Sequence, residues 1–265
     1  MRLALAITSY ERPDALAATL ASVARQRDTP EEILIADDGS GPRTQAVIAA
    51  FAAVARAPVR LVSQPHAGFR VARLRNLAIA SSSCDYLVFS DGDMLLHPEF
   101  TADHRRLARA GFYTQGVRVL ADAGLTGELI AQPGRFPRPL EPGLGGVRRT
   151  YLLHSRVLGR LATRIANGFI SIKACNQGFW RQDLVQVNGF NEDMVGWGPE
   201  DKELCARLRH AGVRRQTLLF GGIACHLHHP AASRADLPAN LALLESTQRG
   251  RKPRCEHGLD SHTRA

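Results

Sequence analysis

Four apolar or aromatic residues, Tyr86-Leu87-Val88-Phe89, run through Ser90 into Asp91-Gly92-Asp93. A short apolar run that stops at a turn signal reads as a strand buried on both faces, and such strands belong to parallel sheets covered by helices. The preceding chain agrees. Strand-like stretches at 3–8, 32–36 and 59–62 alternate with helical patterns that start at Pro13, near Arg43 and at Val71. Strands alternating with helices of ten to fifteen residues predict right-handed βαβ units and a mainly parallel sheet. The Asp-Gly-Asp end therefore falls at the carboxyl edge of the sheet, where open α/β folds place their ligands. Carboxylates at i and i+2 can hold a hard divalent cation. Asp-Gly is equally an ordinary tight turn, and this stretch taken alone leaves both readings open.

Further along, a helix is expected from Pro98 to about Ala110, then a strand over 112–117. Residues 121–149 are rich in Gly and Pro and predict a long loop. Tyr151 to Ile165 reads as a helix with Leu153, Val157, Leu161 and Ile165 on one face. Its separate row of Arg156, Arg160 and Arg164 is read as a solvated face in preference to a membrane-facing stripe. A helix from Pro199 to about Ala211 precedes strands near 215–220 and 223–227. From Ser233 the composition is polar, basic and aperiodic, which predicts a weakly ordered tail with at most a short helix over 237–244.

At 265 residues and 45% hydrophobic, the chain suits one large α/β domain, or two lobes sharing a sheet. Its net charge of +9, carried almost wholly by arginine, favours anionic partners. No helix-turn-helix, zinc-finger spacing or aromatic-basic sheet pattern is present, so nucleic acid is set aside. The five cysteines are widely spaced without a CxxC pair, which predicts free thiols in a reducing compartment. No stretch approaches the ~18 apolar residues of a membrane span, and the first apolar run is short for a secretion signal. A cytoplasmic protein is expected.

Two further strand ends, Thr8-Ser9-Tyr10-Glu11-Arg12-Pro13 and Asp37-Asp38-Gly39-Ser40, should face each other beside Asp91. A tyrosine there can stack on a planar base, and a carboxylate can accept the imide N–H of uracil. Arg70, Arg73 and Arg75 lie close enough to neutralise a diphosphate. In Gly196-Trp197-Gly198-Pro199-Glu200-Asp201, proline and two acids make a sound helix start whose dipole favours ionised carboxylates. Trp197 between glycines also offers a platform for a sugar ring, and a carboxylate beside it can serve as general base on a hydroxyl. His226-Leu227-His228-His229 can complete a cation site with Asp93, where mixed oxygen and imidazole donors favour Mn²⁺ over Mg²⁺. Surface histidines before a proline are the plain alternative.

Together these segments, with Gly68-Phe69-Arg70 and Arg75-Asn76, resemble the inverting GT-A glycosyltransferases of the family 2 type. Asn176-Gln177-Gly178-Phe179 to His229 is similar to the C-terminal module of the β-1,4-galactosyltransferase and chondroitin-polymerase type. Trp197 to Asp201 is its most specific signature, and Pro199 departs from the glycine common there. The resemblance implies a GT-A fold: a Rossmann-like, mainly parallel central sheet with flanking helices and a C-terminal acceptor-binding subdomain. Residues 1–110 would bind the nucleotide-sugar, 111–232 would bind the acceptor and carry catalysis, and 233–265 would be the basic tail. Thr8, Tyr10, Arg12 and Asp37 would hold the nucleoside, with Arg75 near the nucleotide. Asp91 would touch ribose or the metal. Asp93, His226 and His229 would ligate Mn²⁺ or Mg²⁺. Trp197, Gly198 and Glu200 would bind the acceptor, and Asp201 would take its proton.

The implied reaction moves a sugar from a UDP-sugar donor to a glycan or lipid-linked glycan acceptor in cell-envelope polysaccharide or lipopolysaccharide synthesis. It would take place at the inner face of the cell membrane, with peripheral contact to anionic lipid. A sugar nucleotidyltransferase would need a Gly-rich basic loop where Thr8-Ser9-Tyr10-Glu11-Arg12 stands. A non-catalytic glycan-binding protein would have no use for Asp91, Asp93, Asp201 and the histidines together.

Overall fold

The computed structural model of the chain describes residues 1–145, 152–166, 172–230 and 233–263, with the backbone alone for 164–166. The first half alternates as expected: β1 (Leu3–Ser9), α1 (Pro13–Ala24), β2 (Glu32–Asp37), α2 (Pro42–Ala52), β3 (Val59–Ser63), α3 (Val71–Ser81) and β4 (Tyr86–Asp91). Proline occupies the first turn of α1 and α2, where its missing N–H costs nothing. Strands β3, β2, β1 and β4 lie side by side and parallel. Both faces are covered. On β4, Leu87 and Phe89 join the core under α3, while Tyr86 and Val88 join the core under α1 and α2.

Next come β5 (Met94–Leu96), α4 (Phe100–Leu107), β6 (Phe112–Gln115) and β7 (Val117–Ala121). The single strand expected over 112–117 is split at Gly116, and its halves enter different sheets. A Cβ at Gly116 would lie 2.2 Å from Asn176 Oδ1, so only glycine lets the chain pass there. The long loop expected over 121–149 contains α5 (Ala123–Ala131), capped by Asp122, whose Oδ1 accepts from Leu125 N at 2.9 Å. Leu125 and Leu129 bury themselves in a third core with β7 and α1 residues.

After β8 (Leu144–Gly145), the helix expected over 151–165 is only α6 (Arg156–Ala162), and the chain turns at Thr163 into β9 (Arg164–Ala166). Tyr151 lies outside the described residues. Strand β10 (Asn176–Trp180) then runs antiparallel between β4 and β6, followed by α7 (Arg181–Gln186), α8 (Glu200–His210), β11 (Arg214–Thr217) and β12 (Ile223–His226). The main sheet is thus ordered β3-β2-β1-β4-β10-β6-β11-β9, and a small sheet is ordered β5-β12-β7-β8. The stretch expected to be a weakly ordered tail forms α9 (Leu237–Gly250) and α10 (Asp260–Thr263). Leu244 and Asn240 are buried as α9 packs on α8, and tertiary contact supplies the order that composition withheld. No helix among the described residues is long and apolar enough to cross a membrane.

Candidate active site

The parallel register sets Thr8 opposite Asp91 and Ser9 opposite Asp37, so the three acidic and hydroxylic strand ends share one edge. Thr8 Oγ1 donates to Asp91 Oδ1 at 2.8 Å. Gly92 N donates to Thr8 O at 2.7 Å, and a Cβ on Gly92 would stand 2.9 Å from that oxygen. The glycine between the two aspartates is therefore required by close backbone approach. Beside this edge opens a cleft of about 560 Å³, lined among others by Thr8, Tyr10, Arg12, Arg75, Asp91, Asp93, Trp197, His226 and His229. Tyr10 is half-exposed there and stacks on His66, with ring centroids 4.2 Å apart.

The two adjacent aspartates after β2 divide their work. Asp37 is fully buried and ties its own turn together. Its oxygens accept from Ser40 N at 2.8 Å, Ser40 Oγ at 2.6 Å and Gln45 Nε2 at 3.1 Å. Asp38 is the one that lines the cleft, held by Gln64 Nε2 at 2.6 Å and His66 Nδ1 at 2.9 Å. His66 and Arg118 are cleft residues that the motif reading passed over, and Phe69, quoted there only as part of a segment, lines the cleft with them. Only Arg118, an isolated charge on apolar β7, carries a signal that marks it in the sequence.

Pairing of β12 with β5 places His226 opposite Met94, one residue from Asp93. His226 Nε2 is 3.7 Å from Asp93 Oδ1, and His229 Nε2 is 3.3 Å from Oδ2. One donor atom from each of the three residues lies within 4.8 Å of the others. Asp93 Oδ1 is buried with no hydrogen-bond partner among the described residues, an orphaned acceptor that a cation would satisfy. The donor set fits a divalent ion of intermediate hardness. Burial, reinforced by Asp91, pushes the Asp93 carboxyl up to about 6. Burial with Arg118 and His229 nearby pushes His226 down to about 4 and keeps its imidazole neutral. Arg12 Nη1 shares the Asp93 carboxylate at 2.6 Å. Asp91 stands outside this cluster, its Oδ1 taken by Thr8 and by Arg75 Nη2 at 3.3 Å.

Arg75, expected near the nucleotide, is buried and joins the two halves of the site. Its Nη1 donates to Glu200 Oε1 at 2.8 Å, across 125 positions of sequence, and its guanidinium lies over Phe190. The pairing holds Arg75 charged. Glu200 nevertheless rises to about 7, because burial and the adjacent Asp201 outweigh the guanidinium. Asp201 is buried, its oxygens accepting from Ala174 N at 3.0 Å and Lys202 N at 2.7 Å. The helix start favours its ionised form, yet burial wins and its carboxyl stands above the ordinary range. Trp197 and Arg75 line the cleft; Glu200 and Asp201 are not among its lining residues, and Glu200 is joined to it through Arg75. Gly198 packs against Asn240 of α9, where a Cβ would meet Nδ2 at 2.5 Å, so it shapes the loop and presents no group of its own.

Residues 5–132 match the glycosyl transferase family 2 domain, and residues 163–230 match the N-terminal domain of galactosyltransferase. Validoxylamine A glucosyltransferase of Streptomyces hygroscopicus subsp. limoneus is 30% identical over 226 residues, covering 80% of this chain and 48% of that protein. Chondroitin synthase of Escherichia coli is 27% identical over 242 residues, covering 86% of this chain and 35% of that protein. The chain thus spans about half, or less, of the length of these relatives. The crystal structure of S. aureus TarS 1–349 superposes with a TM-score of 0.61 at 13% identity, over 99% of this chain and 68% of that one. That likeness is one of fold, and the fold is GT-A. The chain therefore carries a family 2 glycosyltransferase domain over residues 5–132, joined to a galactosyltransferase-type segment over residues 163–230.

Proposed function

We propose that this chain is an inverting, metal-dependent glycosyltransferase that moves a sugar from a UDP-sugar to a hydroxyl of a glycan or lipid-linked glycan. The observation that carries the reading is one cleft at the carboxyl edge of the sheet that holds Tyr10, Asp91, Asp93, His226, His229 and Trp197. Through Arg75 it is joined to Glu200, the neighbour of Asp201. Tyr10 offers its ring to the base, and Asp38, the member of its pair that lines the cleft, would accept the imide N–H. Asp93, His226 and His229 would hold the cation, Mn²⁺ before Mg²⁺; when bound, it supplies the charge that stabilises a departing diphosphate. Trp197 gives the acceptor sugar an apolar face, and Glu200, fixed by Arg75, orients it. Asp201 takes the hydroxyl proton as the hydroxyl oxygen bonds to the anomeric carbon and the bond to the diphosphate oxygen breaks. Two backbone N–H groups hold its carboxylate in one orientation, and its raised pKa makes it a stronger base than an exposed aspartate.

A thermal-shift panel of UDP-, GDP- and dTDP-sugars, with and without Mn²⁺, tests the donor. Stabilisation by UDP-sugars that requires the ion is expected, and equal shifts for all three nucleotides would remove the assignment. Asp201→Asn should abolish transfer while UDP affinity stays near wild type; lost nucleotide binding would displace Asp201 from the role of base. A cell-envelope polysaccharide or lipopolysaccharide acceptor, assembled at the cytosolic face of the membrane, completes the reading. A strain lacking the chain would then make truncated envelope glycan, and an unaltered glycan profile would remove this part.

A further inference from the structure

Helix α6 inverts the usual pattern of a surface helix. A solvated helix turns its apolar side chains inward and its polar ones out. Here the one buried position is Gly159, whose Cα faces the backbone oxygens of Leu219 and Phe220 closely enough that a Cβ would stand 3.4 Å from the first. Leu161 is 79% exposed and Val157 68%, with Leu158 and Leu153 also exposed. The apolar face that the sequence pattern predicts is present, but it points away from the core.

Arg156 and Arg160 interleave with these side chains. Arg156 keeps one contact to Glu99 at 3.0 Å, and Arg160 has no carboxylate partner among the described residues. The wider segment has the same sign. From residue 142 to residue 182 the sequence has no Asp or Glu, and it has seven Lys or Arg. A second copy of this chain would bring the same positive patch against itself, which like-charge repulsion disfavours. Apolar side chains projecting among arginines match the boundary between headgroups and acyl chains of an anionic bilayer, where the apolar groups enter and the guanidinium groups meet phosphate.

We infer that α6 and the adjoining Leu153 form a docking surface for an anionic lipid bilayer. This rests on the reading above only in giving a lipid-linked acceptor a surface to be met on, and it is tested without turnover. The full chain is floated with vesicles of phosphatidylcholine alone, or of phosphatidylcholine with phosphatidylglycerol. Binding to the anionic vesicles alone is expected, and added salt should weaken it. Leu161→Asp should lower the partition coefficient at least about tenfold, and Arg160→Glu about fivefold or more. Val54→Asp, which changes a residue 74% exposed beyond the end of α2, should leave binding unchanged. Metal-dependent UDP-sugar hydrolysis by the Leu161→Asp protein, measured without vesicles, should equal that of wild type.

No association with anionic vesicles overturns the inference, as does association that survives Leu161→Asp. A salt-sensitive dimer lost in Leu161→Asp without any vesicle binding also overturns it and gives the face to a second copy. Loss of hydrolysis in wild type, with vesicle binding intact, would strike the enzymatic reading and leave this one standing.

Discussion

Replacing Arg75 with methionine tests whether one buried guanidinium holds the two halves of the site together. It stands 2.8 Å from Glu200 Oε1 and 3.3 Å from Asp91 Oδ1. Methionine keeps an apolar stem over Phe190 and removes the charge, leaving Glu200 and Asp201 buried without it. Breaking a buried ion pair from one side costs about 3–5 kcal/mol. The sign with pH follows from Glu200. Its carboxyl rises in the fold from the ordinary 4.5 to about 7, so between those values the folded chain binds more protons than the unfolded one. This group's contribution to stability therefore falls as pH rises through that window.

Without Arg75 the Glu200 carboxyl rises further, and at low pH it escapes the penalty by staying neutral. The deficit of Arg75→Met should grow by about 1–1.5 kcal/mol between about pH 5 and about pH 8, read by urea unfolding at both values. A carboxyl that titrates at about 7 in the wild type and is kept neutral in the variant forfeits about 1.4 kcal/mol per pH unit above that value. For a chain of this size that increment is on the order of 3–5 °C in melting temperature. Adding Glu200→Gln should return most of the loss at the higher pH. Equal deficits at the two pH values, or no recovery from Glu200→Gln, would refute the coupling.

Three further outcomes are expected. Asp93→Ala should remove the Mn²⁺-dependent part of UDP stabilisation in thermal shift, and an unchanged ion dependence would take Asp93 out of the ligand set. Asp37→Ala should cost about 2–3 kcal/mol in denaturant unfolding, since a buried, charged acceptor of three hydrogen bonds is lost. Asp38→Ala should instead cost about tenfold in UDP affinity by calorimetry, and the opposite division would reverse their roles. Because burial raises Asp201 and its base must be deprotonated to act, kcat/KM should fall with decreasing pH along a limb above the ordinary aspartate range. A limb within that range, or one that persists in Asp201→Asn, would assign it to another group.

The strands on which the site is built were the most legible part of the sequence. β1, β2 and β4 are buried on both faces, so each leaves a nearly unbroken apolar run that few other environments would produce. Strand β10 leaves no such trace. Its polar residues Asn176 and Gln177 are fully buried: His104 and backbone carbonyls satisfy Asn176, while Gln177 donates to Gln115 and leaves its own Oε1 without a partner among the described residues. The antiparallel direction comes from where the chain returns. Helix α5 was hidden by Gly124 and Gly127, which lower helix propensity; the Asp122 cap and the burial of Leu125 and Leu129 override that cost. Helix α9 was expected only as a short helix over 237–244; its start agrees, and with packing on α8 it runs on to Gly250.

The site was legible as a set of segments and much less so as a set of side chains. Asp37 and Asp38 differ by one position, and along a strand successive side chains point to opposite sides. β2 keeps its ladder through Asp37, opposite Ser9 and Ser63, so the first carboxylate turns back into its own loop and the second reaches the cleft. A ladder one residue shorter would exchange them with no change in the motif. Arg75 makes the same point at longer range. In the sequence it reads as one of three arginines before or within a helix, and only the return of the chain 125 residues later, carrying Glu200, makes it a buried link. A strand-end motif therefore names the loop that meets a ligand, while strand register and the packing of distant elements decide which of its atoms arrive there.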